Sequence, residues 1–215
     1  MPYRKEELIK GERYHIYNRG VEQRSIFQDR HDLLRFLQCL EDFNEIEPSG
    51  GLYMQSFEKD LQLRHQVSKL VNIICYCLIP NHFHLMLEQV AEKGIEKFIH
   101  RVCNGYAKYF NHKYHRVGPL FQGPFKSSLI DDNEYLLRMS VYINLNYRVH
   151  RLPQNALYQS SWEQYLGKSN NLCDKKIITS QFKSLGEYNN FAEDMLPILV
   201  ERKDDQKELG NIYFE

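Results

Sequence analysis

The stretch Val71-Asn72-Ile73-Ile74-Cys75-Tyr76-Cys77-Leu78-Ile79-Pro80-Asn81-His82-Phe83-His84-Leu85-Met86-Leu87-Glu88 decides the reading of this chain. An apolar run from Val71 to Ile79 meets the turn pair Pro80-Asn81, and a second β-forming run follows from His82 to Glu88, so the segment reads as a β-hairpin. Residues i and i+2 of a strand face the same side. His82 and His84 therefore stand side by side, at about the spacing that two ligands of one metal require, while Phe83 turns to the core. Histidine is the commonest metal ligand among neutral side chains. The plainer alternative is a pair of surface histidines on a sheet. A third reading adds Cys75 and Cys77 as a structural zinc set, with Cys77 opposite His84, although the usual spacings of such sites are wider.

Working outward, Arg13 to Arg19 alternates and is rich in β-formers, which gives an earlier strand ended by Gly20. Asp29 is placed to cap a helix with the apolar face Leu33, Phe36, Leu37, Leu40 and Phe43. Pro48-Ser49-Gly50-Gly51 breaks it, and the residues up to 70 read as a partly helical insertion. After the hairpin, Gly94 precedes a helix over about 95–114, with Ile95, Phe98, Ile99, Val102, Tyr106 and Tyr109 in helical period. Gly118-Pro119 stops it. Leu120 to Ile130 is a fourth strand, weakened by Gly123-Pro124 in the manner of an edge or a bulge. Asp131 or Asp132 caps a helix over about 133–145. The order β-α-β-β-α-β-α predicts an α+β fold: a ferredoxin-like split βαβ sheet with an added helix. We expect residues 1–150 to form this domain, with 44–70 as the insertion, and residues 151–215 to form a helical C-terminal appendage. There Trp162, Tyr188, Phe191, Met195 and Ile198 read as packing residues.

Composition narrows the classes. The 28 Lys+Arg balance 28 Asp+Glu, so the chain is no generic polycation, and any nucleic-acid site must come from local clustering. Its 215 residues suffice to bury roughly 70% of the unfolded surface. No apolar run approaches the roughly 18 residues of a membrane span, and the N-terminus lacks the apolar core of a signal peptide. Five irregularly spaced cysteines read as reduced thiols, which predicts a cytoplasmic protein.

Four segments carry a family resemblance. Cys77-Leu78-Ile79-Pro80-Asn81-His82-Phe83-His84-Leu85-Met86 resembles the metal-binding strand of the single-tyrosine HUH transposases. Gly118-Pro119-Leu120-Phe121-Gln122-Gly123-Pro124-Phe125-Lys126 is similar to their G-x-L-F-Q-x-x-F-K stretch. Asn133-Glu134-Tyr135-Leu136-Leu137 with Tyr142-Ile143-Asn144-Leu145-Asn146 resembles their D-E-Y-L…Y-I-x-L-N-P block, and Tyr14-His15-Ile16-Tyr17-Asn18-Arg19-Gly20 their opening strand. The likeness spans about residues 12–150 and is nearest to the REP-associated branch. It implies transposase-like cleavage and rejoining of single-stranded DNA, including hairpins. The implied nucleophile is Tyr135, giving a 5′-phosphotyrosine and a free 3′-hydroxyl. The implied cofactor is a divalent metal, Mg²⁺ or Mn²⁺, held by His82 and His84. Residue type alone cannot choose among 15 tyrosines; Tyr142 is the reserve.

Two positions depart from the pattern. Tyr147 stands where the family usually has Pro. Some relatives add a metal ligand one turn after the tyrosine, and here that position is Met139, which cannot bind metals that favour oxygen. The third ligand is thus open to Asn18, a tail residue, water or DNA.

From Gly94 to Ile130 one acidic residue, Glu96, faces six basic ones: Lys97, Arg101, Lys108, Lys113, Arg116 and Lys126. Aromatic residues interleave with them, a pairing that suits phosphate contact and base stacking on single strands. Lys113, Arg116 and Lys126 are the chief DNA-binding candidates, with Arg19 weaker. The competing reading is a catalytically silent module that binds hairpin DNA or RNA on the same fold. A homodimer is left open.

Overall fold

The computed structural model describes residues 7–46, 68–168 and 172–208. The first strand, β1 (Arg13–Arg19), is followed by a short 3-10 turn and α1 (Arg30–Asp42). The hairpin comprises β2 (Val71–Ile79) and β3 (His82–Gln89), and α2 (Gly94–Lys113) and β4 (Lys126–Ile130) complete the split βαβ plan. Next come α3 (Asn133–Asn144), the single turn α4 (Asn146–Val149), β5 (Gln159–Ser160), α5 (Trp162–Tyr165), α6 (Lys176–Thr179) and α7 (Leu185–Glu208). The sheet order is β4-β1-β3-β2-β5, and every neighbouring pair is antiparallel. Among the described residues no helix is long and apolar enough to cross a membrane.

Strand alternation divides the core in two. Tyr14, Ile16, Phe83, Leu85 and Leu87 face α1 and α2, meeting Leu33, Phe36, Leu40, Phe98, Val102 and Tyr106. Cys75, Cys77, Ile79 and Met86 face the other way, onto α3 and the C-terminal region. Strand β5 pairs with β2, and Trp162, Tyr165, Tyr188 and Leu196 share one buried core with β2 and α3. The tail is the second layer of the domain, because a sheet apolar on both faces must be covered on both. Ion pairs fasten it: Arg148 donates to both carboxylate oxygens of Glu193 at 2.6 and 2.9 Å, and Arg151 meets Asp204 at 2.7 Å.

The fourth strand is shorter than expected. Only Lys126–Ile130 joins the ladder; the preceding segment meets the end of β1 through the isolated bridge Gly20–Phe121 and the Gln122 N–H, which donates to the Arg19 carbonyl at 2.8 Å. Gly123 adopts φ +69°, a conformation that favours glycine, and Pro124 has no N–H to give. The expected insertion at 44–70 falls mostly outside the described residues. Its flanks are joined, since the Asn44 side chain bonds both the N–H and the C=O of Val71, at 3.0 and 2.9 Å.

Helices α1 and α2 are locked at one end. Asp29 caps α1, and Asp32 returns the bond in a capping box. Lys113 Nζ lies 2.7 Å from Asp29 and 2.8 Å from Asp32, and the Tyr109 and Tyr114 hydroxyls donate to Asp32 at 3.0 and 2.8 Å. Burial alone would raise the Asp32 carboxyl, but Lys113, the Gln28 N–H, Tyr114 and Tyr109 outweigh it and hold it below its usual value. Asp29 is lowered as well, chiefly by Lys113. Carboxyls depressed in the folded state contribute stability above their unfolded pKa, near ~4, and lose it as pH falls through the folded value. Lys113→Met strands the fully buried Asp32 carboxylate and is expected to cost about 3 kcal/mol. It should also shift acid unfolding to higher pH. Urea melts at neutral and acidic pH read both effects, and an unchanged midpoint would show that this tie carries no stability.

Candidate metal centre and tyrosine

The site is built where β1, β3 and β4 run side by side. Tyr17 pairs with His84 and Arg19 with His82 across one boundary, and Tyr17 pairs with Lys126 across the other. His82 and His84 project onto the second face of the sheet, as their spacing predicts. They are 9% and 1% exposed, which excludes the reading as surface histidines. His150, at the C-terminal end of α4, comes to the same place. The ligating nitrogens of His82, His84 and His150 all lie within 4.8 Å of one another, and the His82 and His150 rings are 5.0 Å apart. The cluster contains no cysteine. Cys75 and Cys77 lie in the apolar core, where burial pushes both thiols up, Cys77 to about 12.

Protonation follows from the hydrogen bonds. His82 Nδ1 is 2.7 Å from Asn81 Oδ1, an oxygen that only accepts, so the proton sits on Nδ1 and Nε2 is a bare lone pair. His84 Nδ1 is 2.8 Å from His15 Nε2. Neither Nε2 of the pair has a hydrogen-bond partner among the described residues, although both are buried. Such an atom costs about 1–3 kcal/mol when left unsatisfied, and a cation meets that need. Burial first, then the neighbouring imidazoles and the Lys203 ammonium, holds His82 and His84 well below the ordinary imidazole range. Burial likewise lowers His15 to about 3. All three are therefore neutral at pH 7, the state a metal ligand requires. Beside the pair lies a pocket of about 20 Å³, lined by Tyr17, Asn18, Arg19, Gln23, Asn81, His82 and His84, room for about one water or ion. The residues present fit a divalent metal. One group competes: Lys203 Nζ, from α7, lies 2.6 Å from His150 Nδ1.

Tyr135 sits in the first turn of α3, whose cap is Asp132, the acceptor of the Tyr135 N–H at 2.8 Å. It is half-buried, with the Arg138 guanidinium 5.4 Å from its ring centre. Burial raises its phenol, Asp131 and Asp132 add to the rise, and Arg138 offsets part of it. The phenol is therefore protonated at neutral pH and needs activation. Burial also raises Tyr17, and the neighbouring Tyr135 adds to that rise. Tyr17 in turn stacks on His15 and His84 at 4.9 and 5.7 Å. The reserve, Tyr142, sets its ring edge against His84 and His15 at 5.6 and 6.1 Å, which packs the histidines in place.

The remaining candidates separate. Arg19 lines the pocket and donates from Nε to Gln122 at 2.5 Å. Lys126 lies 5.7 Å over the Tyr17 ring. Lys113 is held by two carboxylates, and Arg116 is bonded to Asn111 at 2.8 Å and to the Pro119 carbonyl at 3.5 Å; neither lines the pocket. Asn18 is engaged by the Gly123 carbonyl and the Arg19 N–H. Met139 is buried in the second core. The third imidazole, His150, was missed because no spacing rule links it to the pair. The nearest signal is Tyr147, the departure from the family pattern. Its ring stacks on Tyr158 at 4.0 Å, a contact no proline could make, just before the chain delivers His150.

In comparisons with known proteins, no family model and no curated protein matches the chain. Among solved structures it is similar to a REP-associated tyrosine transposase bound to a REP hairpin. The TM-score is 0.52 at 15% identity, over 81% of this chain and 94% of that one. At that identity the likeness is one of fold. In this chain the architecture shared with that structure is a five-stranded antiparallel sheet with helices on both faces.

Proposed function

We propose that this chain cleaves and rejoins single-stranded DNA, hairpin-bearing strands included, by metal-assisted attack of Tyr135 on a phosphodiester. The observation that carries the reading is the cluster of His82, His84 and His150, with two bare, buried Nε2 atoms, on the sheet face that α3 covers. The metal is divalent, Mg²⁺ or Mn²⁺. Three imidazole donors favour Mn²⁺, since Mg²⁺ prefers oxygen. When bound, it supplies a Lewis acid that stabilises charge on the scissile phosphate. Tyr135 would then give up its phenolic proton and form a bond from that oxygen to phosphorus. The 3′-oxygen leaves and takes up a proton as a free 3′-hydroxyl, and a 5′-phosphotyrosine remains. Attack by another 3′-hydroxyl reverses the step with the bond energy conserved. Arg19 and Lys126 meet the strand's phosphates beside the pocket.

The test incubates hairpin-bearing oligonucleotides with the protein and Mn²⁺ and looks for a covalent adduct on a denaturing gel. An adduct lost with chelator supports the proposal. A shift on native gels with no adduct supports the silent binding module instead, the reading favoured by the unactivated phenol and by Lys203 beside His150. Lys126→Ala is expected to lower the slope of log affinity against log salt by about one. An unchanged slope removes Lys126 from the DNA interface.

A further inference from the structure

The buried histidine on β1 has no role in the proposed chemistry, yet it touches a ligand of the proposed centre directly. His15 is 6% exposed, its Nε2 lies 2.8 Å from His84 Nδ1, and its ring is stacked on that of His84 with centroids 5.0 Å apart and planes 18° apart. Tyr17 and Tyr142 hold the same ring at 4.9 Å, stacked, and 6.1 Å, edge-on. The contact admits two proton arrangements. If His15 donates from Nε2, His84 Nδ1 is the acceptor and the His84 proton must sit on Nε2. That leaves a buried donor without a partner among the described residues, and it puts a proton on the one His84 nitrogen that His15 does not already engage. If His84 Nδ1–H donates to His15 Nε2, the His84 Nε2 lone pair is bare. Only the second arrangement makes His84 a ligand. A partner on the far nitrogen is the general means by which proteins fix the tautomer and angle of a ligating imidazole. For His82 the side-chain oxygen of Asn81 does this.

We propose that His15 is the positioning residue of the centre: it accepts the His84 Nδ1 proton and thereby holds His84 as an Nε2 ligand. The inference rests on the reading of the histidine cluster as a metal centre. It predicts a property of the metal-free protein too, because the hydrogen bond exists before any ion arrives.

The experiment therefore has two readouts. Nitrogen NMR on ¹⁵N-histidine-labelled, metal-free protein reports the tautomer of His84. Binding of Mn²⁺ or Co²⁺, followed by electron resonance or visible absorption, reports the centre. In the unmodified protein His84 is expected as the Nδ1–H form. His15→Ala should release it to a mixture rich in Nε2–H and weaken metal binding about 10- to 100-fold. His15→Gln, which places an amide oxygen near the lost Nε2, should restore the Nδ1–H form and most of the affinity. That rescue also separates positioning from a loss of fold, which melting curves of both variants check. Finding His84 as Nε2–H in the unmodified protein, or as Nδ1–H unchanged in His15→Ala, overturns the proposal. If the tautomers behave as stated and neither ion binds the unmodified protein, His15 is shown to orient His84, and the metal-centre reading is what fails.

Discussion

Tyr135→Phe is expected to abolish the covalent protein–DNA adduct, a loss of at least about 10³-fold in cleavage, while hairpin affinity changes by no more than a few-fold. The argument is chemical. A phenylalanine keeps the ring that packs against the second core and lies under Arg138, so α3 keeps its seat. What goes is the one oxygen that would bond to phosphorus. The structure offers two other phenols nearby, Tyr17 and Tyr142, and each contacts His84. Their packing differs from that of Tyr135: both sit with their rings against the imidazoles, Tyr17 within the β1 strand of the sheet. The comparison of Tyr135→Phe with Tyr17→Phe and Tyr142→Phe, each scored for adduct and for native-gel binding, is therefore decisive. If Tyr135→Phe cleaves at the normal rate while Tyr17→Phe does not, the nucleophile is on the strand and the proposed role of α3 is wrong.

The parts of this molecule that were legible in its sequence are those governed by short-range rules. The hairpin at Pro80-Asn81, the Asp29 cap and the 3.6-residue period of α2 each declare themselves within a dozen residues, and each is where it was expected. So is the side-by-side placement of His82 and His84, because a strand fixes the orientation of i and i+2. Parts that depend on partners distant in sequence were not legible. Nothing local in Trp162 or Tyr188 says that they join a core with β2 and α3, where their rings also meet at 5.9 Å. Lys113 has the charge and place of a phosphate contact, and only the fold brings Asp29 and Asp32 to it from 84 and 81 residues away. His15 and His150 are single histidines in separate segments. They become part of a site only when β1 lies against β3 and α4 ends beneath it.

That long-range assembly yields the second large effect. His82→Ala and His84→Ala are each expected to eliminate metal-dependent cleavage, leaving a residue of activity that no longer responds to Mn²⁺ or chelator. His150→Ala should give a graded loss. The reason lies in how each imidazole is held. His82 and His84 are rigid strand residues, buried, with Nδ1 tied and Nε2 bare, so removing either breaks the pair that defines the centre. His150 is half-buried at the end of a four-residue helix, with the Lys203 ammonium against its ring. An ion that takes His150 must displace that ammonium, which offsets part of what the third nitrogen contributes. Titrating Mn²⁺ into each variant should show binding lost for His82→Ala and His84→Ala, and weakened about tenfold for His150→Ala, a difference of roughly 1.4 kcal/mol. Lys203→Gln in the unmodified background should tighten binding by removing the competing charge. Equal losses for all three histidines would mean that His150 is as firmly committed to the ion as the strand pair, and that Lys203 does not contest it.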